Sequence, residues 1–356
     1  MNIQQLFVDI IGLALWDCSF EDNQLLLSIS NEDWDDMYEL SRGQGLSAVF
    51  YDGLGKISGK PAVCKKMIKE KGPMSIVQSE LRWQRQYQML ITISEVYRQH
   101  GIRTLLLKGL GLSLYYPIPH HRECNDIDIY LFGQYEEGNR LAENLLGAKV
   151  EKFDMKEDHF FVDGCSFDNH IHFLWPGIDI NRELDLYLKS LLQQEGLSRF
   201  PNSCILLPPP EFNYLFLISH SYGHFMREGM CLRQMTDIAC FLNVEGKKMA
   251  WEDINDKLQS FRLNKFSDAI LSFIEYYFGL SFAYKPSSDT QLLERMMKDI
   301  LSHSHAVVYH KSKLEAMVYL AKTAWNHRWC YDAFYDGGFK RYVLDKINNK
   351  IIKLCK

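Results

Sequence analysis

The feature that most constrains this chain is Asp126-Ile127-Asp128-Ile129, set within residues 124–131. Acid and isoleucine alternate there. On a β-strand, successive side chains point to opposite faces. A strand at this position therefore turns both carboxylates one way and both isoleucines the other, toward a core. Surface strands carry alternating acids for no functional reason, and that is the bland reading. The sharper one is that paired carboxylates at a strand end suit a divalent cation and, through it, triphosphate chemistry. Upstream stands Leu106-Leu107-Lys108-Gly109-Leu110-Gly111, an apolar run broken by glycine.

Composition narrows the class. A chain of 356 residues buries a large core and has room for two or three domains. A formal charge of −5 gives no bulk attraction to nucleic acid or anionic membrane. The nine cysteines include no Cys-x-x-Cys pair, which argues against a cysteine-based zinc module and for a reducing compartment. Residues 1–16 are apolar but carry Asp9 and no basic start, a poor signal peptide. No apolar run reaches membrane-spanning length. A soluble, cytoplasmic protein with no membrane partner is expected.

Three regions are expected. Residues 1–100 read as helical, with Ser28 and Ser30 as possible caps but Asn31 better placed as N-cap of a helix through Trp34, Met37, Tyr38 and Leu40, and with a long helix from Leu81 to His100 closed by Gly101. Residues 101–180 read as an α/β core. A strand over 102–107 runs into a Lys108-Gly109 turn and a helix, which Pro117 and Pro119 stop. A second strand spans 125–131, and a helix follows over 135–146. Two further strands, 159–162 and 167–174, are joined by an Asp163-Gly164 hairpin turn. Residues 181–356 read as helical again. The tail carries Lys340, Arg341, Lys346, Lys350, Lys353 and Lys356 against Val343, Leu344, Ile347, Ile351 and Leu354. A packed terminal helix with a solvated basic face accounts for that pattern better than a nucleic-acid or membrane contact.

This order of strand, Lys-Gly turn, helix, proline break and acid-bearing strand resembles the nucleotidyltransferase superfamily, the DNA polymerase β-like fold. Leu107-Lys108-Gly109, Tyr116-Pro117, Arg122 and Asp126-Ile127-Asp128 are similar to a bacterial family of uncharacterised nucleotidyltransferases. So are a downstream acid-x-His strand and a helical segment like 220–242. The likeness covers residues 100–245 or so. Much of the wider superfamily has Gly-Ser or Gly-Gly at the turn, whereas Lys-Gly matches the narrower family.

The resemblance implies that Asp126 and Asp128 hold Mg²⁺ or Mn²⁺, and that an NTP binds near Lys108, Gly109 and Arg122. Glycine at the turn lets backbone approach a phosphate, and helix N–H groups after it can hold an anion. A third acid is expected two residues before a histidine, and Asp168-Asn169-His170-Ile171-His172 aligns there in two ways. Asp168 supplies the acid, directly or through a bulge, or His170 serves as base or ligand, or the site has lost turnover. His170 and His172 also form a passable zinc or copper pair, though a half-buried strand face explains them more simply. His220 and His224 share a helix face, but Ser221 stands where a metalloprotease needs Glu, which argues against a peptidase. Arg233 and Asp237, also four apart, read either as an intrahelical ion pair or, with His172, His220 and His224, as lining of the cleft.

The expected fold is thus α+β: a small, mixed, nucleotidyltransferase-like sheet with helices, flanked by N- and C-terminal helical regions. The expected activity is transfer of a nucleoside monophosphate from an NTP to an acceptor hydroxyl on a small molecule, sugar, protein or RNA. The alternative is a non-catalytic nucleotide-binding or interaction protein whose acid triad is incomplete.

Overall fold

The computed structural model describes residues 3–345 except 17–25, 27, 61, 153–154, 177–178, 194–195, 228, 283, 303–321 and 323–324. Among the described residues the first helices are α1 (Ile3–Leu15), α2 (Asn31–Gly43), α3 (Ser47–Lys56), α4 (Ala62–Glu70) and α5 (Gly72–Gln99). α1 is apolar nearly all round, the pattern of a helix enclosed by others. It lies hard against α3 at Gly53, where a Cβ would come within 1.9 Å of the Ile10 carbonyl oxygen. The N-cap of α2 is Ser30, not Asn31 as the sequence suggested. Ser30 Oγ accepts from the Asp33 N–H at 3.1 Å and Asp33 takes the Ser30 N–H in return, a capping box that makes Asn31 the first helical residue. α5 begins nine residues before Leu81, at Gly72 with Pro73 in its first turn. It ends as expected: the Ile102 N–H reaches the Tyr97 carbonyl at 2.9 Å over Gly101, whose φ is +74°.

The sheet has the order β1-β2-β5-β4-β3, from β1 (Leu105–Leu107), β2 (Asp126–Tyr130), β3 (Lys149–Lys152), β4 (Glu157–Val162) and β5 (Cys165–His170). β2 and β5 run parallel, and the other neighbours antiparallel. α6 (Lys108–Ser113) follows β1, and α7 (Tyr135–Leu146) follows β2. The acid–isoleucine alternation sorts the faces. Ile127 and Ile129 are fully buried with Leu106, Phe160 and Phe167. Leu90, Ile93 and Tyr97 of α5 and Leu141 of α7 cover them. Asp163 and Gly164, at φ +46° and +74°, make the predicted two-residue hairpin. β5 stops at His170, short of the predicted 174. Lys156 O captures the N–H groups of both Ile171 and His172, so the chain turns and delivers Phe173 to a different core.

Helices follow: α8 (Asp179–Leu191), α9 (Pro210–Arg227), α10 (Leu232–Glu245), α11 (Trp251–Ser260), α12 (Asn264–Phe278), α13 (Thr290–Ser302) and α14 (Arg328–Phe334). They share one apolar core with α1–α4, built on Trp34, Phe50, Phe212, Phe216 and Phe273 among others. Buried Gln44 links the two ends of the chain, donating to Ile300 O at 3.1 Å and accepting from Leu232 N–H at 2.6 Å. No helix among the described residues is long and apolar enough to cross a membrane. Residues 338–345 are helical. Lys346, Lys350, Lys353 and Lys356 of the basic tail lie outside the described residues.

Candidate active site

The sheet face opposite the isoleucines gathers the charged groups. β2 and β5 are in register, so Asp128 stands beside Asp168, Asp126 beside Ser166, and Tyr130 beside His170. β4 runs the other way and sets His159 beside Asp168 and Glu157 beside His170. Alternation puts Asp126, Asp128, Glu157, His159, Asp168 and His170 on one face. Asp126 is half-buried, while Asp128, Asp168 and His170 are buried.

Each carboxylate has its own partner. Lys108 Nζ lies 2.7 Å from Asp128 Oδ1, and His170 Nε2 lies 3.0 Å from the same oxygen. His170 Nε2 is also 3.3 Å from Glu157 Oε2, which Lys156 Nζ approaches to 2.6 Å. His159 Nδ1 meets Asp168 Oδ1 at 2.5 Å. Burial pushes the Asp128 carboxyl up, but Lys108 and His170 outweigh it and hold the group well below the usual carboxylate range. Burial raises Asp168 to about 7, reinforced by the charges of Asp128, Asp126 and Glu157. Burial and Asp128 also raise Asp126, against the pull of Lys108 and Arg233. Burial would lower the Lys108 ammonium, yet Asp128 and Asp126 raise it. Lys108 is therefore not a solvated turn lysine. It is a mostly buried cation over the Phe216 ring, 5.6 Å from its centroid.

The turn glycine has a packing role. Gly109 takes φ +34°, and a Cβ there would sit 2.9 Å from Cys124 Sγ and 3.3 Å from Asp126 O. Its bareness lets α6 start directly against the acid-bearing strand.

The remaining candidates divide. His220 of α9 lies beside the acid face. Burial pushes its imidazole well below its ordinary value, as do the nearby charges of Lys108, His224, Lys156 and His170. Its ring centroid is 4.5 Å from that of His224. Arg233 donates to Glu123 O at 2.5 Å and acts electrostatically on Asp126. Three readings meet other partners in the structure. Arg122, expected at the nucleotide, is engaged inside the protein. It pairs with Asp237 through two bonds of 3.0 and 2.6 Å, and Tyr116 donates to the same carboxylate at 2.8 Å, all buried. Asp237 accordingly has Arg122 as its partner, whose bidentate guanidinium fork satisfies both its oxygens. His172 turns away to Asp185 (3.1 Å) and Lys189 (3.2 Å), so His170 and His172 do not form a metal pair. Sequence reasoning missed Glu157, His159 and Lys156. Their signal was Glu157-x-His159, an alternation that extends β4 by one more pair.

The face is rich in hard oxygen donors, and its negative charge is under-compensated, since three carboxylates push Asp168 upward. Both properties fit a divalent cation of the magnesium class. The Asp126, Asp128 and Asp168 oxygens do not all lie within 4.8 Å of one another; among the described residues that closeness is reached at Glu80–His120–His121 and at Asp299–His327–Cys330. Lys108 and His159 each hold one of the site's carboxylates.

No curated protein matches the sequence. A crystal structure of an antigenic nucleotidyltransferase-like protein from Paracoccidioides brasiliensis is similar over 50% of this chain and 92% of that one, at 11% identity and a TM-score of 0.33. The family described as "Uncharacterised nucleotidyltransferase" matches residues 30–279, which take in α2 through α12 with the whole acid-bearing sheet, and the chain belongs to that family.

Proposed function

We propose that this protein moves a nucleoside monophosphate from an NTP to an acceptor hydroxyl, using Mg²⁺ or Mn²⁺. The observation that carries the reading is the register of β2 and β5. It sets Asp128 beside Asp168, with Asp126 on the same face and Lys108 at the end of the glycine turn. Asp126 and Asp128 would hold the cation. Bound there, it would neutralise the triphosphate and the leaving pyrophosphate. Lys108 supplies a positive charge to phosphate oxygens when it leaves Asp128.

Asp168 is the better base of the two candidates. A carboxyl at about 7 takes a proton near neutral pH. His170 Nε2 faces an ionised Asp128 and so donates to it, which leaves that nitrogen no lone pair for an incoming proton. In the proposed reaction the acceptor oxygen bonds to the α-phosphorus as its proton passes to Asp168. The bond from the α-phosphorus to the bridging oxygen breaks, and that oxygen leaves on pyrophosphate.

A thermal-shift panel of NTPs with and without Mg²⁺ or Mn²⁺, followed by a pyrophosphate-release assay over candidate acceptors, tests this. Metal-dependent stabilisation with release supports transfer. The Lys108–Asp128 ion pair favours a second reading, nucleotide binding without turnover, and stabilisation with no release under any acceptor would select it.

A further inference from the structure

A second cluster lies where α3, α5 and the 3-10 turn Pro119–His121 meet, on residues the nucleotide site does not use. Glu80 Oε1 of α5 lies 3.2 Å from His120 Nε2 and 3.3 Å from His121 Nε2. The three ligand atoms all fall within 4.8 Å of one another. The two imidazole rings stand nearly perpendicular, at 86°, with centroids 4.9 Å apart. We propose that Glu80, His120 and His121 bind a zinc ion.

Three features carry this beyond a chance meeting of polar groups. First, the spacing fits. Ligands about 2.0–2.1 Å from a tetrahedral zinc are separated by roughly 3.3 Å along each edge, close to both separations from Glu80. Second, His121 is oriented from behind. Its Nδ1 lies 2.6 Å from Asp52 Oδ2 of α3, so Nδ1–H donates there, and Nε2, aimed at Glu80, is the nitrogen that would give up its proton to hold the ion. A carboxylate behind a ligating imidazole fixes tautomer and ring orientation in this way. Third, the backbone under His120 is held, because Ser79 Oγ donates to the His120 carbonyl at 3.0 Å. His121 is buried, while Glu80 and His120 are 44% and 43% exposed, so an ion has a route from solvent. Two histidines and one carboxylate leave a fourth position for water. The ion ties the turn leading into Arg122 and β2 to α5 and, through Asp52, to α3. Adjacent histidines are not a recognised ligand spacing, and Glu80 lies far upstream, so the fold alone brings them together.

The test titrates metal-stripped, full-length protein with Zn²⁺ by calorimetry and with Co²⁺ by visible absorption. The wild type should take up one equivalent of Zn²⁺ that survives in Asp126→Asn, and its Co²⁺ form should show the intense bands of tetrahedral coordination. Asp52→Asn should weaken binding about 10- to 100-fold, and His120→Ala and Glu80→Gln should weaken it further. Both of those side chains are over two-fifths exposed, and their unfolding midpoints in EDTA should match the wild type, which separates lost metal binding from lost structure. No Zn²⁺ uptake by the wild type, unchanged uptake in His120→Ala and Glu80→Gln, or loss that follows Asp126→Asn instead would overturn the proposal.

Discussion

Replacing Asp168 by asparagine should make the protein more stable at alkaline pH while removing its proposed base. In the folded chain the carboxyl is raised from 3.8 to about 7. A raised group favours its protonated form, so the stability it contributes is complete below its unfolded value and is lost as pH climbs through the folded one. The window is about pH 4 to 7. At pH 8 the ionised group costs the fold about 4 kcal/mol, at roughly 1.4 kcal/mol per unit. Asparagine carries no charge and escapes that cost, in which the attraction of His159 for the carboxylate is already counted. The net gain at pH 8 is therefore about 4 kcal/mol, falling toward zero near pH 4. Denaturant unfolding at both pH values, in EDTA and without nucleotide, reads it directly. Mg²⁺ should also raise the wild-type midpoint more at pH 8 than at pH 6, because ionising Asp168 beside Asp128 deepens the negative field that draws the cation. Equal or lower stability of Asp168→Asn at pH 8, or a gain that ignores pH, would refute the argument: the His159 contact would then outweigh the repulsion from Asp126, Asp128 and Glu157.

Three further outcomes are expected. Asp126→Ala should abolish metal-dependent nucleotide stabilisation in a thermal-shift assay while the fold survives, since it relieves like-charge repulsion with Asp128; unchanged affinity would remove Asp126 from the metal set. Arg122→Gln should cost about 3–5 kcal/mol in urea unfolding, because it strands buried Asp237 without its cation; a loss below about 1 kcal/mol would show that the pair is no anchor. Lys108→Met should lower stability without metal and weaken triphosphate binding, and Mg²⁺ should recover more stability in this variant than in the wild type; a triphosphate affinity equal to the wild type's would exclude Lys108 from phosphate contact.

What the sequence disclosed followed from short-range rules. Strand alternation placed Asp126 and Asp128 on one face, Asp163-Gly164 called the hairpin, and Gly101 closed α5, because each depends on a few adjacent residues. What it concealed depends on pairings between distant segments. Arg122 and Asp237 are separated by α7, the sheet and two further helices, and no local pattern shows that they neutralise one another. Glu157 and His159 become site residues only through the antiparallel register of β4 on β5. The Asn31 cap failed for a local reason: Ser30 is followed three residues later by Asp33, whose carboxylate returns the bond and makes the box. β5 was read too long because its apolar continuation, Phe173-Leu174, is buried as well, but in the helical core. Burial alone does not distinguish the two destinations.

The way this face tolerates its carboxylates also argues for chemistry over scaffolding. A purely structural cluster would settle by neutralising each acid similarly. Here the neighbours Asp128 and Asp168, side by side on parallel strands, are driven in opposite directions. Lys108 and His170 both converge on Asp128 and keep it ionised, whereas Asp168 faces three other carboxylates and rises to about 7. Adjacent titratable groups pushed apart in this way suit the proposed reaction: the low one would serve as a lasting anion for a cation, the high one would exchange a proton near neutral pH. The division rests on geometry. Glu157 is held down by His170 and Lys156, so its charge persists and keeps Asp168 raised. The Arg122–Asp237–Tyr116 anchor ties the approach to β2 onto α10, on the side where His220 and Phe216 of α9 close over Lys108. Burial first, and then Lys108 and the neighbouring charges, push the His220 imidazole well below its ordinary value, so it adds no positive charge that would relieve Asp168. The groups that set the two values apart are thus buried or half-buried, fixed before any substrate arrives.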